Sequence, residues 1–185
     1  MKKCAFYFIT GSSGSGKTTL LKGVNKTIYP NLKTYYSDAF GVPSIEEMNA
    51  KFGGPERWQA RNIHQLFMKA DRSNSLNLVV FDSQARPTVI LDEANKTGNH
   101  AIHITLIECS HQERRKRLLE YRNQPELDTV DMYAWAAYLR GQAEALKLEV
   151  IDTTNQGVTE SIQELAASIG RFAEENGIRL ASLTG

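Results

Sequence analysis

Gly11-Ser12-Ser13-Gly14-Ser15-Gly16-Lys17-Thr18 follows directly on Cys4-Ala5-Phe6-Tyr7-Phe8-Ile9-Thr10, and this stretch decides the fold. The first run is nearly all apolar, as a central strand covered on both faces must be. The second meets the pattern G-x-x-x-x-G-K-[ST], and a helix is predicted behind it from Lys17 to Ile28. Gly11, Gly14 and Gly16 let the backbone turn tightly, bringing successive N–H groups toward one centre. The helix starting near Lys17 adds its positive N-terminal partial charge. In such a loop the lysine bridges β- and γ-phosphates and the threonine hydroxyl ligates Mg²⁺. The expected ligands are therefore ATP and Mg²⁺, held by Gly11, Ser12, Ser13, Gly14, Ser15, Gly16, Lys17, Thr18 and Thr19.

Outward from this loop, short apolar runs alternate with longer amphipathic ones, the pattern of a parallel sheet with helices on both faces. Further strands are predicted at Leu32 to Ser37, Leu76 to Phe81, Ala101 to Glu108 and Leu148 to Ile151. Helices are predicted at about 44–51, 55–72 and 88–97, the last closed by Gly98. A strongly basic helix runs from Gln112 to Tyr121 and is broken by the proline-containing segment 123–129. Met132, Trp135, Ala136, Leu139, Ala143 and Leu146 mark one apolar helix face, and Val158, Ile162, Leu165, Ile169 and Phe172 line a final helix. The fold class is α/β, a three-layer phosphate-loop fold around a central parallel sheet of about five strands. No repeat or linker divides residues 1–185, a length that suits one domain.

The net charge is +1, which gives no support for a general nucleic-acid or membrane surface. Cys4 and Cys109 read as buried thiols, and the four histidines form no metal-ligand pattern with them. The apolar stretch after Met1-Lys2-Lys3 is too short for a signal peptide, and no run approaches the ~18 apolar residues of a membrane span. A soluble, cytoplasmic monomer or homodimer is expected.

Two aspartates fall at predicted strand ends. Val79-Val80-Phe81-Asp82 places a carboxylate where a phosphate-loop protein keeps its second Mg²⁺-organising acid. Ligands in such sheets sit outside the carboxyl ends of the strands, so Asp38, Asp82 and the glycine loop can converge. Asp38 is either a loop residue or the group that orients an acceptor hydroxyl and takes its proton. The run from Arg114 to Arg122 is either a solvated helix face or a source of charge over a transferring phosphate. Arg117 and Arg122 are the candidates for the second role, with Arg140 a weaker third.

Assembled, these segments resemble the P-loop kinases of small metabolites and nucleotides, the adenylate, shikimate, gluconate and adenylylsulfate kinase group. The resemblance covers most of residues 3 to 170 and rests chiefly on the phosphate loop. It implies the sheet order 2-3-1-4-5 and transfer of the ATP γ-phosphate to a small-molecule or nucleotide acceptor. Phe81-Asp82-Ser83-Gln84-Ala85-Arg86-Pro87 looks like the strand-end segment of nucleoside monophosphate kinases, a resemblance by which Arg86 would hold the acceptor or its phosphate. Arg117, Leu118 and Arg122 look like the entry to a lid, here short, at about 115–130. Val150-Ile151-Asp152-Thr153-Thr154 looks like the strand and loop that cradle adenine, which implicates Asp152 and Thr153. The acceptor region, about 40–73, matches no substrate signature. It offers Arg57 and Arg61 as anion-binding candidates and Trp58 as an aromatic more simply read as helix packing.

Two other readings compete. One is a nucleotide-binding regulatory ATPase without a small acceptor. Ala94-Asn95-Lys96-Thr97-Gly98 superficially resembles a GTPase base-reading loop but has Gly98 where that loop needs an aspartate. The other is a polynucleotide 5′-hydroxyl kinase, which the near-zero charge disfavours because backbone binding needs several cationic contacts.

Overall fold

A computed structural model of the chain describes residues 4–30, 32–36, 43–71, 78–98 and 100–181. Its elements run β1 (Ala5–Thr10), α1 (Lys17–Thr27), β2 (Lys33–Tyr36), α2 (Ile45–Phe52), α3 (Pro55–Asp71), β3 (Leu78–Asp82) and α4 (Pro87–Thr97), then β4 (Ala101–Glu108), α5 (His111–Lys116), α6 (Val130–Ala145), β5 (Glu149–Asp152) and α7 (Val158–Glu175). The five strands are all parallel, in the order β2-β3-β1-β4-β5. Parallel strands need crossovers, and here each crossover carries helix that covers a sheet face.

The alternation of β1 explains why the sheet is buried on both sides. Ala5, Tyr7 and Ile9 pack with Leu20, Leu21 and Val24 of α1 and Leu165, Ile169 and Phe172 of α7. Phe6 and Phe8 point the other way, onto Ile63 and Phe67 of α3 and Val89, Ile90 and Ala94 of α4. A third cluster seats Leu139 and Ala143 of α6 on Leu106 of β4. Side chains of a strand project alternately, so one apolar run fills two cores.

Several boundaries differ from expectation for local reasons. Ser44 caps α2 instead of opening it: its hydroxyl accepts from Glu47 N at 3.2 Å while the Glu47 carboxylate accepts from Ser44 N at 3.3 Å. Pro87 joins α4 as its first residue, where its missing N–H costs nothing. The predicted basic helix ends early, at Lys116, and continues as a π-helical turn over Arg117–Tyr121, with Arg122 N donating to Arg117 O at 3.0 Å. The predicted strand ends at Ser37 and Leu76, the helix end at Arg72 and the candidate Asp38 lie outside the described residues.

On the α7 side a polar cluster is buried under the sheet. Tyr7 Oη lies 2.6 Å from both Thr105 Oγ1 and Ser168 Oγ, and burial pushes its phenol pKa up. Glu149 accepts from His103 Nε2 at 2.8 Å, from Arg171 at 2.9 Å and from Ser168. Chiefly through the His103 hydrogen bond, its pKa falls to about 2. A carboxylate depressed in the fold adds stability above its unfolded value and loses it as pH falls toward the folded one. Acidification from about pH 4.5 to pH 2 is therefore expected to remove about 2–3 kcal/mol through Glu149. Urea midpoints at pH 5 and pH 2.5 should differ less in Glu149→Gln than in the parent.

Candidate active site

The loop between β1 and α1 is shaped by contacts that leave no room for side chains. At Gly11 a Cβ would meet Ile107 O at 2.3 Å. At Gly14, where φ is 80°, a Cβ would sit 2.9 Å from Arg114 Cγ and 3.1 Å from Leu118 Cγ. Both positions thus need glycine, one for close approach and one also for backbone conformation. Cys109 supports the loop from below, its Sγ donating to Gly14 O at 3.8 Å, and burial pushes its thiol pKa up. Lys17 is only 7% exposed, and its Nζ donates to Ser12 O at 3.1 Å. Thr19 is exposed on the first turn of α1.

Asp82 ends β3 beside the loop, 4% exposed, and accepts from Thr18 Oγ1 at 2.6 Å. The sequence proposed both residues for the metal, and the fold brings them together across 64 positions. Three further bonds tie the segment after Asp82 to β1 and the loop. Ser83 N donates to Ile9 O at 3.0 Å, Thr10 Oγ1 to Ala85 O at 2.8 Å and Gln84 Nε2 to Ser13 Oγ at 3.2 Å. The donor set suits Mg²⁺, which takes hard oxygen ligands: one hydroxyl and one carboxylate, with room left for waters and phosphate. The buried hydroxyl of Ser15 lacks a hydrogen-bond partner among the described residues, which leaves it available to a phosphate oxygen.

Arg117 is fully employed in this conformation. Its Nη1 donates to Ser15 O at 3.1 Å and Thr153 Oγ1 at 2.8 Å, its Nη2 to Thr153 O at 2.8 Å and its Nε to Glu113 at 2.9 Å. Thr153 Oγ1 in turn lies 3.1 Å from Ser15 O and 2.9 Å from Glu108 O, and its single proton goes to one of them. The guanidinium thus ties the phosphate loop to the turn after β5. Arg117→Ala is expected to cost about 1.5–3 kcal/mol, read by thermal denaturation, and to weaken ATP binding in calorimetry. Arg117→Lys should recover only part of either, since an ammonium cannot reproduce the planar fork.

Other candidates are dispersed. Arg122 is exposed just beyond the π turn, a feature that often marks functional segments. Asp152 is exposed, and its Oδ1 accepts from Thr154 N at 2.9 Å. Arg140 is held by Glu108 and, at 2.7 Å, by Glu144. Arg57 lies against Gly53, and the Arg61 guanidinium sits 5.5 Å from the centre of the Phe52 ring. Arg114 was not singled out from the sequence. It is 5% exposed, donates to Cys109 O at 3.1 Å and lies directly under Gly14. Its only signal was its place in the basic run.

Beside Asp82 lies a half-open cavity of about 620 Å³ between β2, β3, α2 and α3. Ser83, Gln84, Ala85 and Arg86 form its wall on the phosphate-loop side, and Trp58 and Trp135 line it. Arg57 and Arg61 do not. Arg86 Nη1 donates to Gln59 Oε1 at 3.0 Å, and its guanidinium lies 4.8 Å from the Trp135 ring centre and 5.9 Å from that of Tyr138.

A phosphate loop closed by a threonine–aspartate bond, on a 2-3-1-4-5 sheet with an adjoining cavity, defines the fold of the P-loop kinases. Solved structures with this fold include a gluconokinase from Sinorhizobium meliloti 1021, 18% identical over 92% of this chain and 94% of that one, with a TM-score of 0.58. A thymidylate kinase from Candida albicans is 14% identical over 98% and 99% of the two chains, with a TM-score of 0.61. The tunicamycin resistance protein of Deinococcus radiodurans is 16% identical over 97% and 99%, also with a TM-score of 0.61. No family model and no curated protein matches the chain.

Proposed function

We propose that the protein is a phosphotransferase that moves the γ-phosphoryl group of ATP to a hydroxyl or phosphate of a small acceptor bound beside Asp82. The observation that carries this reading is the 2.6 Å bond from Thr18 to Asp82, which joins the phosphate loop to the strand end whose neighbours Phe81 and Ser83 line the cavity. The kinases named above share the fold, which favours transfer to an acceptor over simple hydrolysis. Bound at Thr18 and Asp82, Mg²⁺ would neutralise charge on the β- and γ-phosphates. Lys17 and the loop N–H groups hold the same phosphates, and Arg122 supplies further positive charge from the short lid at about 115–130. Asp152 and Thr153 flank the base. Asp38, two positions beyond β2 in the sequence, or Asp82 positions the acceptor oxygen, and Asp38 receives its proton as that oxygen bonds to the γ-phosphorus and the bond from phosphorus to the β–γ bridging oxygen breaks. Helices within about 40–73, with Arg86, hold the acceptor.

The test is transfer from γ-labelled ATP with Mg²⁺ to pooled hydroxyl compounds, nucleotides and sugar acids. A labelled product supports the reading. Tight ATP binding with slow phosphate release and no labelled acceptor would replace it with a regulatory ATPase.

A further inference from the structure

The acceptor's chemistry is written in what lines the cavity. Ile45, Met48, Ile63, Leu66, Val79 and Phe81 line it, and Trp58 and Trp135 add two indoles. At about 620 Å³ it is the size of pockets that enclose drug-sized molecules, larger than a six-carbon sugar acid requires. Polar groups are few and mostly neutral: the amides of Gln59, Asn62, Gln65 and Gln84, and the Ser83 hydroxyl. Such groups recognise hydroxyls and carbonyls by hydrogen bonding.

The charged groups of the lining are all cations. No aspartate or glutamate lines the cavity among the described residues, and its cations are Lys33, Lys69 and Arg86. Arg86 is held by Gln59 and lies over Trp135, while Lys33 Nζ lies 5.9 Å from the Tyr35 ring centre. Lys33 and Lys69 are both exposed. A phosphate or carboxylate taken from water into these apolar walls would need converging donors to offset its desolvation. Arg57 and Arg61, which could have supplied them, lie against Gly53 and Phe52 instead. An apolar ring, by contrast, gains from every contact.

We infer that the acceptor is an uncharged hydroxyl compound with an apolar, ring-bearing body, and that nucleoside monophosphates and sugar acids are excluded. This rests on the phosphotransferase reading and narrows its substrate. The body lies between α2, α3 and β3, flanked by the two indoles. The reacting hydroxyl lies at the Ser83–Gln84 end, where Gln84 is bonded to Ser13 of the phosphate loop.

The chain contains two tryptophans, Trp58 and Trp135, and both line the cavity, so intrinsic fluorescence reports its occupancy without any turnover. The full chain is titrated with phenyl glucoside, benzyl glucoside and a hydroxysteroid, and in parallel with AMP, thymidine monophosphate and gluconate. The expected result is a saturable change with at least one uncharged ring compound and none with the three anions. Ile45→Asp should weaken that binding roughly tenfold. Ile45 is 63% exposed at the start of α2, where an aspartate suits the helix N-terminus, so the fold is expected to be retained, which the melting temperature checks. Saturation by any of the anions, or no saturable change with any uncharged compound, would overturn the inference. Fluorescence binding of the ring compounds without phosphate transfer to them would leave the cavity's preference for an uncharged, apolar ligand standing but sink the phosphotransferase reading, and with it that ligand's role as acceptor. Labelled product from a monophosphate or sugar acid would do the reverse.

Discussion

Lys17→Ala is expected to lower phosphate transfer about 10²–10³-fold with the fold intact, the cost typical of removing one preorganised donor to developing charge. Lys17 begins α1 and is 7% exposed, with its Nζ 3.1 Å from Ser12 O, so its ammonium is held across the loop proposed to bind the phosphates. Alanine is a good helix former, and removing the side chain leaves the backbone cradle of Gly11–Gly16 in place. ATP should therefore still bind, more weakly, while transfer suffers the larger loss, because the lysine's charge matters most as the β–γ bond breaks. Lys17→Arg should fail nearly as fully, since a larger planar group does not fit where so little of the lysine reaches solvent. The measurements are labelled transfer to the screened acceptor, ATP binding by calorimetry and the melting temperature of each variant. Unchanged transfer in Lys17→Ala would exclude the proposed chemistry. A large fall in melting temperature would mean that lost structure, not lost charge, explains the inactivity.

How far the sequence could be read depended on whether the signal was local. The run Cys4–Thr10 and the glycine pattern after it are contiguous, so strand, loop and helix could be read together, and Asp82 was visible as the acid closing a second apolar run. The bond between Thr18 and Asp82 spans 64 positions, yet it follows once both strands lie side by side in a parallel sheet. Features set by packing were less accessible. Helical spacing alone cannot show that the basic run widens into a π turn at Arg117, or that Arg114 is buried beneath Gly14. Charge drew attention to Arg57 and Arg61, whereas the cavity is lined by neighbouring amides and apolar side chains of α3 that no spacing rule distinguishes from core. Trp135 reaches Arg86 from a helix nearly fifty positions away, a contact that exists only because α6 packs beside α4.

Asp82→Asn is expected to act through the metal and can be separated from every structural effect. Asparagine has the same shape and can still accept from Thr18 Oγ1 through its amide oxygen, so the 2.6 Å link and the melting temperature should survive. The negative charge proposed to organise Mg²⁺ is lost. Transfer should fall about 10²–10³-fold at ordinary Mg²⁺, and the Mg²⁺ concentration for half-maximal rate should rise at least about tenfold. Excess Mg²⁺ should then recover part of the rate in Asp82→Asn and none in Lys17→Ala, because only the first defect is one of metal affinity. Thr18 gives the matching pair. Thr18→Ser keeps the hydroxyl and should behave like the parent, whereas Thr18→Val keeps the shape and should show the raised Mg²⁺ requirement. Were Asp82→Asn to retain the parent's Mg²⁺ dependence, Asp82 would serve only to hold Thr18 at the strand end. The same titration on Asp38→Asn would then test whether that acid organises the metal instead.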